Sequence, residues 1–395
     1  MITIKQFFTT FLLKKKDNCP PPRVYRNKTS DDMYFRDCFI DFLKGLDGAN
    51  RSRSYASDLA TASHILEGLG HYRMREINKT ILKTYINGFT KKTYTTGKGG
   101  KTKTQYYSQS AIDKVYNLLH SFIKEVSCND GDQLLPADYM ANIKKPRSNR
   151  PKAEETKPLT DEEIIMISSI VKENKLINVW IHILLYTGVR PSEPLALQFS
   201  DIHYKEKTID VFRTLSQEEY FDPLTQKRVK PRKAVITDLK NQRDDGGINY
   251  QRRTLKVGDE LINILQDWEH YIKSNTALMA EKKRHGTENY LFSGPHGQLW
   301  LYDDYKQVYE RLLKRHGLSV SEYNPYRFRH NCCTRLLRLG ISIKAVQLIL
   351  GDNSSEMVMK VYANLDKSDI LKGSTSFSES IDETLGIMSD TKISE

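Results

Sequence analysis

Four places in the sequence hold side chains able to grip an anion or move a proton, in the order arginine, lysine, arginine, tyrosine. The third tells most. In "YNPYRFRHNCCTRLLRLG", residues 323–340, Asn324 can cap a helix, Pro325 suits its first position and Gly340 can close it. On a helical period Cys332, Cys333 and Leu336 form one apolar stripe, with Leu339 near its edge. Arg329 falls in line with that stripe, one turn after Tyr326, while Arg327, Arg335 and Arg338 fall on the opposite, solvated face. A guanidinium in line with a core must be paired or must meet an anion, because burying it alone is very costly.

The other three places are less distinctive singly. "LLYTGVRPSEPLALQFSDI" ends an apolar helix at Gly188 and leaves Arg190 in a tight connection before a helix opening with Pro191, with Glu193 placed to pair with it. "AVITDLKNQRDDGGINYQRRTLKV" sets two β-branched runs around a polar, glycine-containing segment, which predicts a hairpin with Lys240 at the end of its first strand. In "LGDNSSEMVMKVYANL" Gly351 closes one helix and Ser354 or Ser355 caps the next. Met357, Val358, Val361 and Leu365 form the apolar side of that second helix, and Tyr362 lies beside it. Taken alone, Arg190 and Lys240 are solvated charges and Tyr362 is a core tyrosine with its hydroxyl at the rim.

The elements that must position these groups are mostly helical. "MYFRDCFIDFLKGL", "SYASDLATASHILEGLG", "INKTILKTYINGF" and "SAIDKVYNLLHSFIKEV" carry apolar residues at helical spacing, and Gly70 ends the second. Between the last two, "KKTYTTGKGGKTKTQYY" reads as a basic, aromatic loop suited to a phosphodiester backbone. Its "GGKT" is no nucleotide cradle, since Thr95 stands where the phosphate-loop glycine belongs and no apolar strand leads in. "NIKKPRSNRPKAEETKPLT" is rich in proline and charge and reads as a linker, after which Thr160 and Glu163 form a capping box. Helices, strands from about Thr208 to Val257, and further helices follow.

A chain of 395 residues is comfortable for two domains, and its net charge of +12, spread along the chain, favours a polyanionic partner. The five cysteines have neither disulfide-framework nor metal-site spacing, and the ten histidines form no convincing ligand set. No apolar run approaches the ~18 residues of a membrane span, and "FFTTFLL" lacks the marks of a signal peptide.

Together, "YTGVRPSEPLALQFSDI", "PYRFRH" and "LGDNSSEMVMKVYANL", with a lysine hairpin between the first two, resemble the boxes of the tyrosine recombinase (phage integrase) family. The resemblance runs roughly from Met33 to Leu365, strongest in the second half. It implies a mainly α fold with a small β-sheet: a basic arm (1–30), a helical core-binding domain (31–143), a linker (144–158), an α+β catalytic domain (159–366) and an acidic tail (367–395) that docks on a neighbouring protomer.

The activity implied is site-specific DNA cleavage and rejoining, without metal or cofactor, for integration or excision of a mobile element. Arg190 and Arg329 would hold the phosphoryl oxygens, Tyr362 would attack phosphorus to form a 3′-phosphotyrosyl bond, and Lys240 would protonate the leaving 5′ oxygen. Lys233 competes for that last role.

Tyr326 stands where the family usually has histidine, His330 matches the histidine after the second arginine, and Asp352 replaces the usual histidine or tryptophan. An ionised Asp352 must turn away, pair with a cation or be protonated. Lys98, Lys101, Lys103, Lys144, Lys145 and Arg147 are the candidate DNA-backbone contacts. Double-stranded DNA, a homo-tetramer on two duplexes, accessory excision or DNA-bending proteins and a cytoplasmic location complete what the resemblance implies. A type IB topoisomerase and an inactive DNA-binding relative remain the alternatives.

Overall fold

The computed structural model describes residues 33–46, 52–98, 101–128, 133–151, 157–221, 228–239 and 251–362. The chain divides into two compact units, Met1–Glu154 with Glu218–Lys233, and Glu155–Gln217 with Ala234–Glu395.

The first unit is built on four helices, α1 (Phe35–Leu46), α2 (Ser52–Leu69), α3 (Lys79–Lys91) and α4 (Gln109–Cys128). Asn78 caps α3 by accepting from the Thr80 and Ile81 amides, and the Gly70 amide closes α2 on the Leu66 carbonyl. Phe35 and Phe39 meet the ring of Phe122 edge-on at 5.1 and 5.0 Å, and Leu59, Ile65 and Leu119 are fully buried around them.

The expected basic loop is instead a β-ribbon of β1 (Thr93–Lys98) and β2 (Lys101–Tyr106), paired antiparallel from Thr93↔Tyr106 to Lys98↔Lys101. Its threonines and tyrosines favour strands and only Gly99 and Gly100 lie between them, a hairpin signal that the basic composition masked. At the start of α4, the Gln109 side chain donates to Pro146 O and accepts from the Ser148 amide, tying the extended segment that carries Lys144, Lys145 and Arg147. Those three are exposed, with Lys145 over the Tyr116 ring at 5.3 Å.

The second unit opens with α5 (Asp161–Val171), held by the expected capping box in which the Thr160 hydroxyl accepts from the Glu163 amide and Glu163 accepts from the Thr160 amide. Helix α6 (Lys175–Thr187) is apolar nearly all round and buries Trp180 against Tyr302, Tyr305 and Tyr309. The strands that follow in sequence are β3 (Ile202–His203), β4 (Thr208–Val211), β5 (Arg213–Phe221), β6 (Arg228–Asp238) and β7 (Arg253–Lys256), of which the end of β5 and the start of β6 fall in the Glu218–Lys233 stretch of the first unit.

The predicted hairpin of the two β-branched runs does not form, because β6 pairs with β5 while β7 pairs with β4 in a separate β3–β4–β7 sheet. Both runs are strands, but the first pairs with β5 just before it and the second with β4. Helices α7 (Asp259–Ser274), α8 (Thr276–Arg284) and α9 (Tyr302–Arg315) follow.

Three last helices, α10 (Pro325–Arg338), α11 (Ile343–Leu350) and α12 (Glu356–Tyr362), share a small core of Cys333, Leu337, Val346, Leu350, Val358 and Val361. Asn324 caps α10 through the Tyr326 amide and Pro325 takes its first position, as the sequence requires. Arg327 departs from the solvated face: its guanidinium is largely covered, bonded to Glu163 at 3.0 and 2.9 Å and to the carbonyls of Lys157 and Pro158. A complementary carboxylate on α5 outweighs the pull of water there. No helix among the described residues is long and apolar enough to cross a membrane.

Candidate active site

Two helix C-termini build the site. Helix α6 ends at Gly188 (φ +62°) and α11 at Gly351 (φ +70°), each in the left-handed conformation that glycine adopts freely. A Cβ at Gly188 would lie 2.6 Å from Cys332 Sγ, and one at Gly351 would lie 2.5 Å from Arg253 Nη1, so both turns also need the space. Each helix end leaves carbonyls without helical partners and a partial negative charge.

Arginines take up those carbonyls. Arg329 Nη1 donates to Gly188 O at 3.0 Å and Leu350 O at 2.8 Å, Arg190 Nη2 to Gly351 O at 3.1 Å, and Arg253 Nε to Ile349 O at 2.7 Å. Burial pushes the Arg329 guanidinium below its ordinary pKa and Asp352 opposes that shift, but an arginine starts so high that it stays charged.

Arg190 sits in the turn expected of it, but no helix opens at Pro191: the Glu193 amide closes a turn on Arg190 O and a short 3₁₀ segment runs from Pro194 to Ala196. Trp180 Nε1 donates to Pro191 O at 2.9 Å, fastening the turn to the core. The buried Glu193 accepts from the Arg190 amide at 2.9 Å, Arg190 Nη1 at 3.0 Å and Arg253 Nη2 at 2.8 Å. The anticipated Arg190–Glu193 pair is therefore present. Arg253 was not singled out from the sequence, although it falls on the inward side of β7 with Leu255, the same signal that flagged Arg329.

Asp352 completes the cluster. Its Oδ1 accepts from Arg190 Nη2 at 2.8 Å and lies 2.7 Å from Arg329 Nη2. The second contact is close enough for an ion pair but badly aligned, so Arg329 Nη2 makes no hydrogen bond. Of the three ways the sequence left open for this carboxylate, pairing with a cation is the one observed. Gln347 fixes the Asp352 backbone on both sides, donating to its carbonyl at 2.8 Å and accepting from its amide at 3.1 Å. Three guanidiniums and two carboxylates thus meet around two helix ends, and the Arg190 and Arg329 donors converge on one oxygen.

Of the remaining candidates, some are described and others lie outside the described residues. Tyr326 stands 53% exposed on the first turn of α10, and His330 is half-buried. Leu239 donates its amide to Phe212 O, but Lys240 itself lies outside the described residues. Lys233 is exposed on β6. Tyr362 ends α12 directly after the buried Val361, and its side chain lies outside the description, as do those of Lys98, Lys101 and Lys103 on the ribbon. The thiols of Cys332 and Cys333 beside the arginines are pushed up by burial to about 11, which keeps them protonated and unreactive.

Residues 157–369 match the Phage integrase family. A tyrosine recombinase described as XerC-like, from Caldanaerobacter subterraneus, is 23% identical over 66% of this chain and 64% of its own length. The chain thus aligns with just under two thirds of that relative. Among solved structures, the Tn1549 transposon integrase in complex with transposon right end DNA superposes with a TM-score of 0.60 at 18% identity, covering 88% of this chain and all 100% of that one. A lambda integrase tetramer bound to a Holliday junction gives 0.52 at 14% identity, covering 92% of this chain and 88% of that one.

Proposed function

The chain belongs to the phage integrase family, and from that membership we propose that it is a site-specific DNA recombinase of the tyrosine type, serving integration or excision of a mobile element. The observation that carries the reading is the convergence of Arg190 Nη2 and Arg329 Nη2 on a single oxygen, 2.8 and 2.7 Å away. Two guanidiniums so near one point suit a phosphoryl oxygen gaining negative charge, and guanidinium donors keep their charge at any working pH.

Tyr362 is the nucleophile of this reading. Its Oη gives up its proton to solvent and bonds to phosphorus while the bond to the 5′ oxygen breaks, Lys240 gives that oxygen a proton, and the reverse steps rejoin the strands. The phosphotyrosyl bond keeps the energy of the phosphodiester, so no nucleotide is consumed. Arg190 and Arg329 stabilise the transition state, and Tyr326 offers a hydroxyl to the same phosphate, with His330 beside the second arginine. In this reading the helical unit is the core-binding domain and residues 159–366 the catalytic domain, joined by a linker and flanked by the basic arm and the acidic tail.

Lys98, Lys101, Lys103, Lys144, Lys145 and Arg147 then lie along the duplex backbone, where basic side chains supply affinity without sequence information. The protein works as four protomers on two duplexes, with accessory excision or DNA-bending proteins. The solved tetramer on a Holliday junction supports that assembly by analogy of fold.

The test uses the DNA flanking the protein's own gene, nicked beside the cleavage position so that the freed strand diffuses away. A protein–DNA adduct that survives denaturation is the expected result. Site-independent relaxation of supercoiled DNA would move the protein to the topoisomerases, and tight, salt-sensitive binding without any adduct to the inactive relatives.

A further inference from the structure

The oxygen on which the two arginines converge belongs to the protein itself. Asp352 Oδ1 fills the point between Arg190 Nη2 and Arg329 Nη2. Three observations bear on what it does there. First, Arg329 has donor capacity left over there: Nη1 is committed to two backbone carbonyls, while Nη2 lies 2.7 Å from Asp352 Oδ1 as an ion pair without a hydrogen bond. Second, Gln347 locks the Asp352 backbone through both its amide and its carbonyl, so the carboxylate can leave only by side-chain rotation. Third, the way out is open, because the side chain is 16% exposed and Asn353 and Ser354 beyond it are exposed.

We propose that Asp352 is a displaceable internal anion that occupies the phosphate seat of Arg190 and Arg329 until DNA drives it out. The inference rests on the phosphate-handling role given to the two arginines above. Without an anion between them, two guanidiniums, one of them buried, would face each other in a medium of low dielectric. The carboxylate removes that repulsion in the free protein. A phosphodiester at the same point would be repelled by it, so the two anions exclude each other. The seat is thereby kept ordered before DNA arrives and is selective for DNA bound tightly enough, by contacts elsewhere, to displace the plug.

The experiment measures inorganic phosphate binding to the full-length protein by the rise in melting temperature at matched ionic strength, with chloride as the reference salt. Asp352→Asn, which keeps the shape and removes the charge, should bind phosphate at least about tenfold more tightly than the wild type while melting lower without phosphate. Asp352→Ser serves the same end should the asparagine variant fold poorly. Adding Arg329→Lys to either should abolish the gain. Equal or weaker phosphate binding by the Asp352 variants overturns the proposal, since a carboxylate that merely braces the arginines would lose stability and phosphate response together.

The DNA adduct assay separates the two layers. Variants that gain phosphate affinity but form no adduct uphold the seat and count against the recombinase reading. Adducts without any gain in phosphate affinity uphold the recombinase and remove the plug.

Discussion

The two units bury different kinds of side chain. Among the described residues, the first encloses phenylalanine, leucine and isoleucine with Thr61, Thr90 and Ser127 as its buried polar groups, and no charged side chain. The second buries Glu193, Asp201, Lys282 and Arg329. The first core is thus assembled from apolar side chains without buried charge. Where buried charges occur, they are held by helix ends and by each other, as Glu193, Arg253 and Arg329 are. Asp201 and Lys282 have structural partners, Arg213 and Tyr290 O, whereas Glu193 and Arg329 join Arg190, Arg253 and Asp352 in one cluster, and it is this clustering that marks the candidate site.

That contrast can be broken most forcefully at Glu193. Glu193→Ala leaves Arg190 and Arg253 without their shared carboxylate and should cost about 3–5 kcal/mol in denaturant unfolding. Phe122→Ala should cost a similar ~3–5 kcal/mol in the first unit, through a cavity alone. Only the first should also alter the response to phosphate, and a neutral Glu193→Ala would break the comparison.

Next comes Arg329→Lys, which keeps a charge but loses the fork. Adduct formation should fall on the order of 10²–10³-fold with circular dichroism unchanged. Retention of nearly full rate would mean that the guanidinium is structural only.

Among the described residues of the first unit no charged side chain is buried, so the expected effect moves from rate to salt dependence. Replacing Lys98, Lys101 and Lys103 by alanine should flatten the slope of log affinity against log salt by ~0.9 for each phosphate no longer neutralised. The adduct rate at saturating protein should stay unchanged, and an unchanged slope would remove the ribbon from the interface. The smallest effect is expected at the start of α5, where Thr160→Ala should cost ~1 kcal/mol, read from the melting temperature.

Much of this was legible in the sequence, because caps and apolar periodicity are local. Thr160 and Asn324 each cap the helix that follows, and Arg329 on the Cys332–Leu336 stripe is buried as its place demands. The failures have non-local causes. Neither β-branched run shows in sequence that it pairs with β5 or β4, and nothing near Arg327 shows that Glu163 waits on another helix. Arg253 could have been found by asking of strands what was asked of the helix, namely why a charge lies on the inward side. That Asp352 would close on both arginines needed the fold, since it joins three distant segments.

The central claim is that Tyr362 attacks phosphorus beside these arginines. Its most direct test is to trap the adduct on nicked DNA, digest it with protease and identify the DNA-linked peptide by mass spectrometry. Linkage is expected at Tyr362, in the peptide that follows Lys360, with none in the Tyr362→Phe protein. A phosphotyrosyl bond at Tyr326 or any other residue, or an adduct that persists in Tyr362→Phe, would contradict it.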